Sequence, residues 1–300
     1  MRSSRPQLIL TLAGSVLLAA CGGGGQGEGT DTTAKDSLAA EPTDGGGVVN
    51  VGGKLFSIPS PVQTALLIRS TGAPYQRDLL LDKGKADALT GRVGRALAVG
   101  LYGSDLAYAT IHKDGQTAMA TLQTIEKLSS ALEMGNAFDQ QLLDRFKRNM
   151  NVQDSLLRLS GEAFRAADRY LKNNDRNDIS ALVLTGGWIG SLHLALAHAT
   201  GDAQAKLGPR IAEQRKALGD LLALLEANDK EKQCTALCAD LRTLQQAFAG
   251  IKSTYTFEKP VTDAAARTTF IHSTSAVTIT PQDLSAIAEQ VAALRTKYLI

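Results

Sequence analysis

The stretch ISALVLTGGWIGSLHLALAHATG, residues 179–201, holds no Asp, Glu, Lys or Arg in 23 positions. A run of that length and polarity is either a membrane span or a helix buried on all sides in the middle of a bundle. Ser180, Thr185, Ser191, His193 and His198, together with Gly186, Gly187 and Gly190, favour the bundle. Glycine inside a helix costs about 1 kcal/mol relative to alanine, so a helix that keeps three of them uses them for close backbone approach. Val93 to His112 has the same character, with Gly94, Gly100 and Gly103. The two segments are therefore predicted to be central helices.

Around them the apolar residues keep helical spacing. Phe138, Leu142, Leu143, Phe146 and Met150 mark one face, and Leu156, Ser160, Ala163, Phe164, Ala167 and Leu171 mark another. Ile211, Leu218, Leu221, Leu222 and Leu225 form a third stripe; Cys234, Leu237, Leu241, Leu244, Phe248 and Ile251 form a fourth. Leu284, Ile287, Val291, Leu294 and Tyr298 follow a start signal of Thr280, Pro281 and Asp283. The rhythm breaks near 253–280, where Tyr255-Thr256-Phe257 and Ala276-Val277-Thr278-Ile279-Thr280 are β-prone. The expected fold is all-α: an antiparallel multi-helix bundle or stacked helical hairpins of about eight helices, with a short β excursion.

The N-terminal fifth is a different material. Of 28 glycines, 11 lie between Gly22 and Gly53. Arg2 and Arg5 precede a short apolar run from Gln7 to Leu18, too short to span a ~30 Å hydrocarbon core. It ends in Leu18-Ala19-Ala20-Cys21, which resembles the lipobox of bacterial lipoproteins. The resemblance implies cleavage before Cys21 and acylation of that cysteine, for which palmitate is the expected label. More than one acyl chain on one residue gives stable membrane attachment. Residues 22–53 read as a flexible glycine-rich tether, with a root-mean-square reach of roughly 30 Å. Gly22, Gly24 and Gly27 fit G-x-G-x-x-G only by letter, because no strand precedes them and no helix follows. The expected organisation is a leader over 1–20, a lipidated cysteine and tether over 21–53, and a single helical domain over 54–300.

Charge excludes one large class. The chain has 32 basic and 30 acidic residues, and loss of Arg2 and Arg5 leaves 30 of each. Beyond the tether the balance is only slightly basic, too weak for a nucleic-acid partner.

Three stretches, Ser57-Ile58-Pro59-Ser60-Pro61-Val62, Leu101-Tyr102-Gly103-Ser104-Asp105-Leu106-Ala107-Tyr108 and Gly186-Gly187-Trp188-Ile189, together resemble an uncharacterised group of helical bacterial lipoproteins. The resemblance implies an address in the cell envelope, on the outer membrane, facing the periplasm or the surface. It brings no activity with it.

Candidate chemistry is sparse. Cys234 and Cys238 remain after Cys21 is assigned to lipid, and in an oxidising compartment they are expected to pair at the frayed start of a helix. Free thiols are the alternative, and a metal site lacks further ligands in the neighbouring sequence. His193 and His198 are five apart, about 140° around a helix, and so diverge. Asp105 interrupts an uncharged run from Ala96 to His112, with Tyr102 and Tyr108 a turn away on either side. It is a candidate for a pocket whose opposite wall is Trp188; the structural alternative is an Asp bonded to tyrosine hydroxyls or capping a neighbouring helix. Arg158, Arg165, Arg169, Lys172 and Arg176 share a face with Glu162 and Asp168, the pattern of a salt-bridged solvated surface. Asn173, Asp175 and Asn177 lack the glycine and glutamate of a calcium loop. No G-x-S-x-G elbow, P-loop or H-E-x-x-H pattern is present.

No catalytic residues, metal or cofactor are therefore assigned. The leading expectation is a lipid-anchored binding or scaffolding module for another envelope protein or a glycan. The rival is an envelope-acting hydrolase with a site at Asp105 between the central helices. A lipid or metal carrier is a third reading, marked by a large apolar cavity or by ligands converging on Cys234 and Cys238.

Overall fold

Helix α3 (Arg92–Ile111) and helix α7 (Asn177–His198) cross at the middle of the molecule, and every residue of α3 from Ala96 onward is buried. In the computed structural model, which describes residues 48–51, 54–135, 137–138, 140–263, 267–270 and 272–299, this crossing organises everything else. The glycines explain how close it is. A Cβ on Gly100 would stand 2.0 Å from the Val183 carbonyl oxygen, and one on Gly186 would stand 2.0 Å from that of Leu97. The two backbones touch where the sequence omits side chains, which only glycine permits at such a distance. The apolar run 179–201 thus forms a buried core helix, 83% of whose most apolar window is covered by the rest of the protein.

The fold is all-α, with ten helices among the described residues. Helices α1 (Pro61–Ser70), α2 (Lys85–Ala88) and α4 (Gly115–Ser130) lie in the first half with α3, followed by α5 (Gln140–Arg148) and α6 (Gln153–Asn173). After α7 come α8 (Ala203–Asn228), α9 (Thr235–Ala247) and α10 (Pro281–Leu299). The first, α1, packs on both central helices, α4 and α6 pack on α3, and α8 packs on α7. The last, α10, packs against α9 and α7 and also reaches α3.

Local signals set the boundaries. Ser60 and Gln63 form a reciprocal capping box ahead of Pro61 at the first turn of α1. Thr280 and Asp283 do the same for α10, as their spacing predicts. Asp114 caps α4 by accepting from the Thr117 N–H at 3.0 Å. Helix α4 carries no apolar stripe as regular as its neighbours' and is a helix that periodicity alone does not single out. Its buried face includes Thr117, Ala118, Thr121, Leu122 and Ile125, three of these five being threonine or alanine.

The β excursion is a ribbon. Strand β3 (Lys252–Thr256) pairs antiparallel with β6 (Thr274–Thr278), and β4 (Val261–Asp263) pairs with β5 (Thr268–Phe270) further along. A further hairpin, β1 (Val48–Val51) with β2 (Lys54–Ser57), corrects the expected tether boundary at 53. Val51 is buried against the helical core, so ordered structure already includes residues 48–51. Cys21, the leader and the tether up to 47 lie outside the described residues.

Candidate functional site

Trp188, by its position on α7, sets one wall of a groove. Along α7, Trp188, Ser191, Leu192 and Ala195 recur at spacings of three and four and form one stripe. Leu207, Arg210, Ile211 and Gln214 form the matching stripe on α8. Pro59, Gln63, Thr64 and Leu67, at the start of α1, close the third side. The groove between the three helices has a volume of about 340 Å³.

Its polar groups are mostly consumed internally. The Trp188 indole N–H donates to Gln214 Oε1 at 2.9 Å, and Gln214 Nε2 donates to the Arg210 carbonyl at 2.9 Å. Arg210 is paired with Glu213 at 2.9 Å on the rim. Ser191 Oγ is different: it is buried and has no hydrogen-bond partner among the described residues.

Asp105 does not share this groove. It sits on the other side of the central pair, beneath the segment that joins α1 to α2, where its Oδ2 accepts the Leu81 N–H at 2.8 Å. Tyr102 donates to the Asp82 carbonyl at 2.7 Å, and Arg295 from α10 reaches the Leu79 carbonyl at 3.3 Å. Residues 79–82 are thereby held by side chains of α3 and α10, which grip their backbone. Burial pushes the Asp105 carboxyl up to about 7, against the opposing effects of the Leu81 N–H and the nearby Arg295 and Lys83. His193, from α7, also faces Arg295 and Leu79; burial, reinforced by Arg295, pushes it down to about 4.

The expected pocket of Tyr102, Asp105, Tyr108 and Trp188 is thus divided among three places. Trp188 and His193 lie five residues apart on α7 and point about 140° from each other, so Trp188 cannot face the Asp105 side. Neither tyrosine hydroxyl bonds Asp105. The Tyr108 hydroxyl accepts the Gln76 N–H at 3.1 Å and lies 2.7 Å from His198 Nε2. One hydroxyl thus bridges the Gln76 amide and the His198 ring. Around this pair, Tyr75 stacks on His112 with ring centroids 5.2 Å apart, and Tyr75 donates to Asp114 at 2.9 Å. Asp105, fully buried and held against a backbone amide, offers no open cleft to a substrate.

The expected disulfide is also corrected: Cys234 and Cys238 are buried free thiols. Cys234 is the N-cap of α9, and the Cys238 N–H donates to its carbonyl at 2.8 Å, so the helix is already formed between them. Helical neighbours four apart keep their Cβ atoms ≈ 5–6 Å from each other, beyond the roughly 3.8 Å a disulfide needs. Burial, with Asp229 adding to it, pushes the Cys234 thiol up to about 12, and burial raises Cys238 as well. Among the described residues, no three His, Cys, Asp or Glu side chains converge to hold a metal.

On the outer face of α6, Lys172 and Asp168 pair at 2.7 Å as their spacing predicts. Glu162 instead takes both Nη atoms of Arg145 from α5, at 2.8 and 3.0 Å.

Sequence reasoning identified Trp188 and missed Ser191, Gln214 and Leu192. The signal was available in the three-and-four spacing from Trp188 along α7, but only the position of α8 shows which side of an all-apolar helix is open. Comparison with protein-family models, curated proteins and solved structures returns no match.

Proposed function

We propose that the protein is a lipid-anchored component of a bacterial cell envelope whose helical body is a binding module, with the Trp188 groove as its binding site. The groove carries the reading: three helices leave a concavity of about 340 Å³ with apolar walls, a tryptophan and a few polar groups, the usual make-up of a small-ligand site. The address rests on Leu18-Ala19-Ala20-Cys21 after a basic n-region, and on the glycine-rich composition that follows it.

The hydrolase alternative loses the cleft it requires, because Asp105 is sealed beneath residues 79–82. A carrier for whole phospholipids is disfavoured by size, since the groove lies at the lower end of the ≈ 300–1,000 Å³ range of ligand pockets.

Two experiments test the proposal. Palmitate labels the wild type and not Cys21→Ser; equal labelling overturns the anchor. A photo-crosslinking residue at Gln63, on the groove rim, gives an adduct of defined mass in intact cells, while the same residue at Arg169, exposed on α6, gives none. Identical outcomes at the two positions overturn the groove as the binding site.

A further inference from the structure

We propose that the groove takes an uncharged, compact and mostly apolar molecule carrying one hydrogen-bonding group, and that the Ser191 hydroxyl bonds that group. This rests on the groove being the binding site and specifies its ligand.

Three observations lead there. The first is Ser191 itself. A buried hydroxyl on a helix ordinarily falls back on the carbonyl four residues earlier, as Thr185 does on Ala181 at 2.8 Å on the same helix. Ser191 Oγ makes no such bond although the residue is only 5% exposed. An unpaired buried hydroxyl is costly, and a ligand atom in the groove that Ser191 lines would relieve that cost.

The second observation is charge. The charged residues of the lining, Arg210 and Glu213, are bonded to each other through both carboxylate oxygens, at 2.9 and 3.2 Å. An ionic ligand meets two wall charges that already neutralise each other, and among the described residues no second charge of either sign lines the groove. The third is shape and polarity. Leu67, Leu192, Ala195, Leu207 and Ile211 supply the apolar surface, and the Trp188 indole N–H is already committed to Gln214. A buried hydroxyl without a partner, set among apolar walls, matches one polar group on an apolar body.

Trp188 is the chain's single tryptophan, so its emission reports the groove directly. The test titrates the purified full-length protein with three cage-shaped probes of one size: 1-adamantanemethanol, 1-adamantanecarboxylate and 1-adamantylammonium. The alcohol is expected to shift Trp188 emission saturably and to bind about tenfold more tightly than either ion. Ser191→Ala is expected to weaken the alcohol about five- to tenfold, while its melting temperature stays equal to or above that of the wild type because an unsatisfied group has gone. Ser191→Cys, which nearly keeps the bulk and exchanges the hydroxyl for a weakly hydrogen-bonding thiol, should behave likewise. If an ion binds as tightly as the alcohol, or if both Ser191 variants bind it as tightly as the wild type, the proposed ligand class or the role of Ser191 is overturned while the groove survives as a site. If none of the three probes changes Trp188 emission, the groove itself falls as the binding site.

Discussion

The Leu81 N–H donates to Asp105 Oδ2 across 2.8 Å, and the bond closes the segment 79–82 over the one carboxylate of the central helices' buried core. The contact explains why a charge-bearing residue sits inside an otherwise apolar helix: it satisfies a backbone amide that the covering segment would otherwise bury unpaired. The burial that comes with this covering segment raises the carboxyl, with the Leu81 N–H opposing it.

Asp105 is held near 7 in the folded protein against an ordinary value of 3.8. Below about pH 4 the residue is protonated in both states; between 4 and 7 the folded state holds a proton that the unfolded state has lost. Stability therefore falls as pH rises through this window, by at most about 4 kcal/mol. Asp105→Asn keeps an acceptor for Leu81 and cannot ionise. Urea unfolding at pH 5 and pH 8 is expected to show a smaller decline for the variant than for the wild type; parallel declines would refute a raised Asp105.

Tyr108 joins the Gln76 N–H to His198 through one hydroxyl. Tyr108→Phe leaves both without a partner at nearly constant volume, and should cost about 1–3 kcal/mol in denaturant-unfolding measurements at pH 7.5. A loss below about 0.5 kcal/mol would mean that the bridge is replaced by solvent.

Glycine substitutions separate packing from propensity. Gly100→Ala drives a methyl group into the Val183 carbonyl and should abolish folding or cost more than about 3 kcal/mol. Gly219→Ala, on α8 with nothing within 4 Å of the added atom, should stabilise by up to about 1 kcal/mol. Thermal melts of the two variants check the pair; similar effects would show that the α3–α7 approach is not as close as described.

The thiols of Cys234 and Cys238 are buried, with their ionisation pushed upward. Iodoacetamide at pH 8 should leave the peptides carrying them unmodified in the native protein and alkylate them fully in denaturant, with no reductant required. A mass lower by two hydrogens on that peptide before reduction would restore the disulfide.

Much of the fold is legible in residue order. The stripes on α5, α6, α8, α9 and α10 are set by three-and-four spacing, and the Thr280–Asp283 cap fixes where α10 starts. Helix α4 escapes because threonine and alanine bury as well as leucine when they face a neighbouring helix, and hydrophobic periodicity does not count them. The strand at 48–51 escapes because Val51 is buried by packing on the helical core rather than by a pattern of its own. Of the site, Trp188 stands out as the lone tryptophan, whereas Ser191 looks like any serine on a small-residue helix.

Residue order by itself determined that two charge-poor, glycine-rich helices lie at the centre, since a helix with so few charges and no polar face has nowhere else to go in water. It also shows the Leu18-Ala19-Ala20-Cys21 stretch that resembles a lipobox. Only the tertiary structure decided that Asp105 is sealed and Trp188 lines a groove. A helix buried on every side gives no internal sign of which side faces a void; that depends on where α1, α8 and residues 79–82 come to rest, through contacts between residues far apart in the chain.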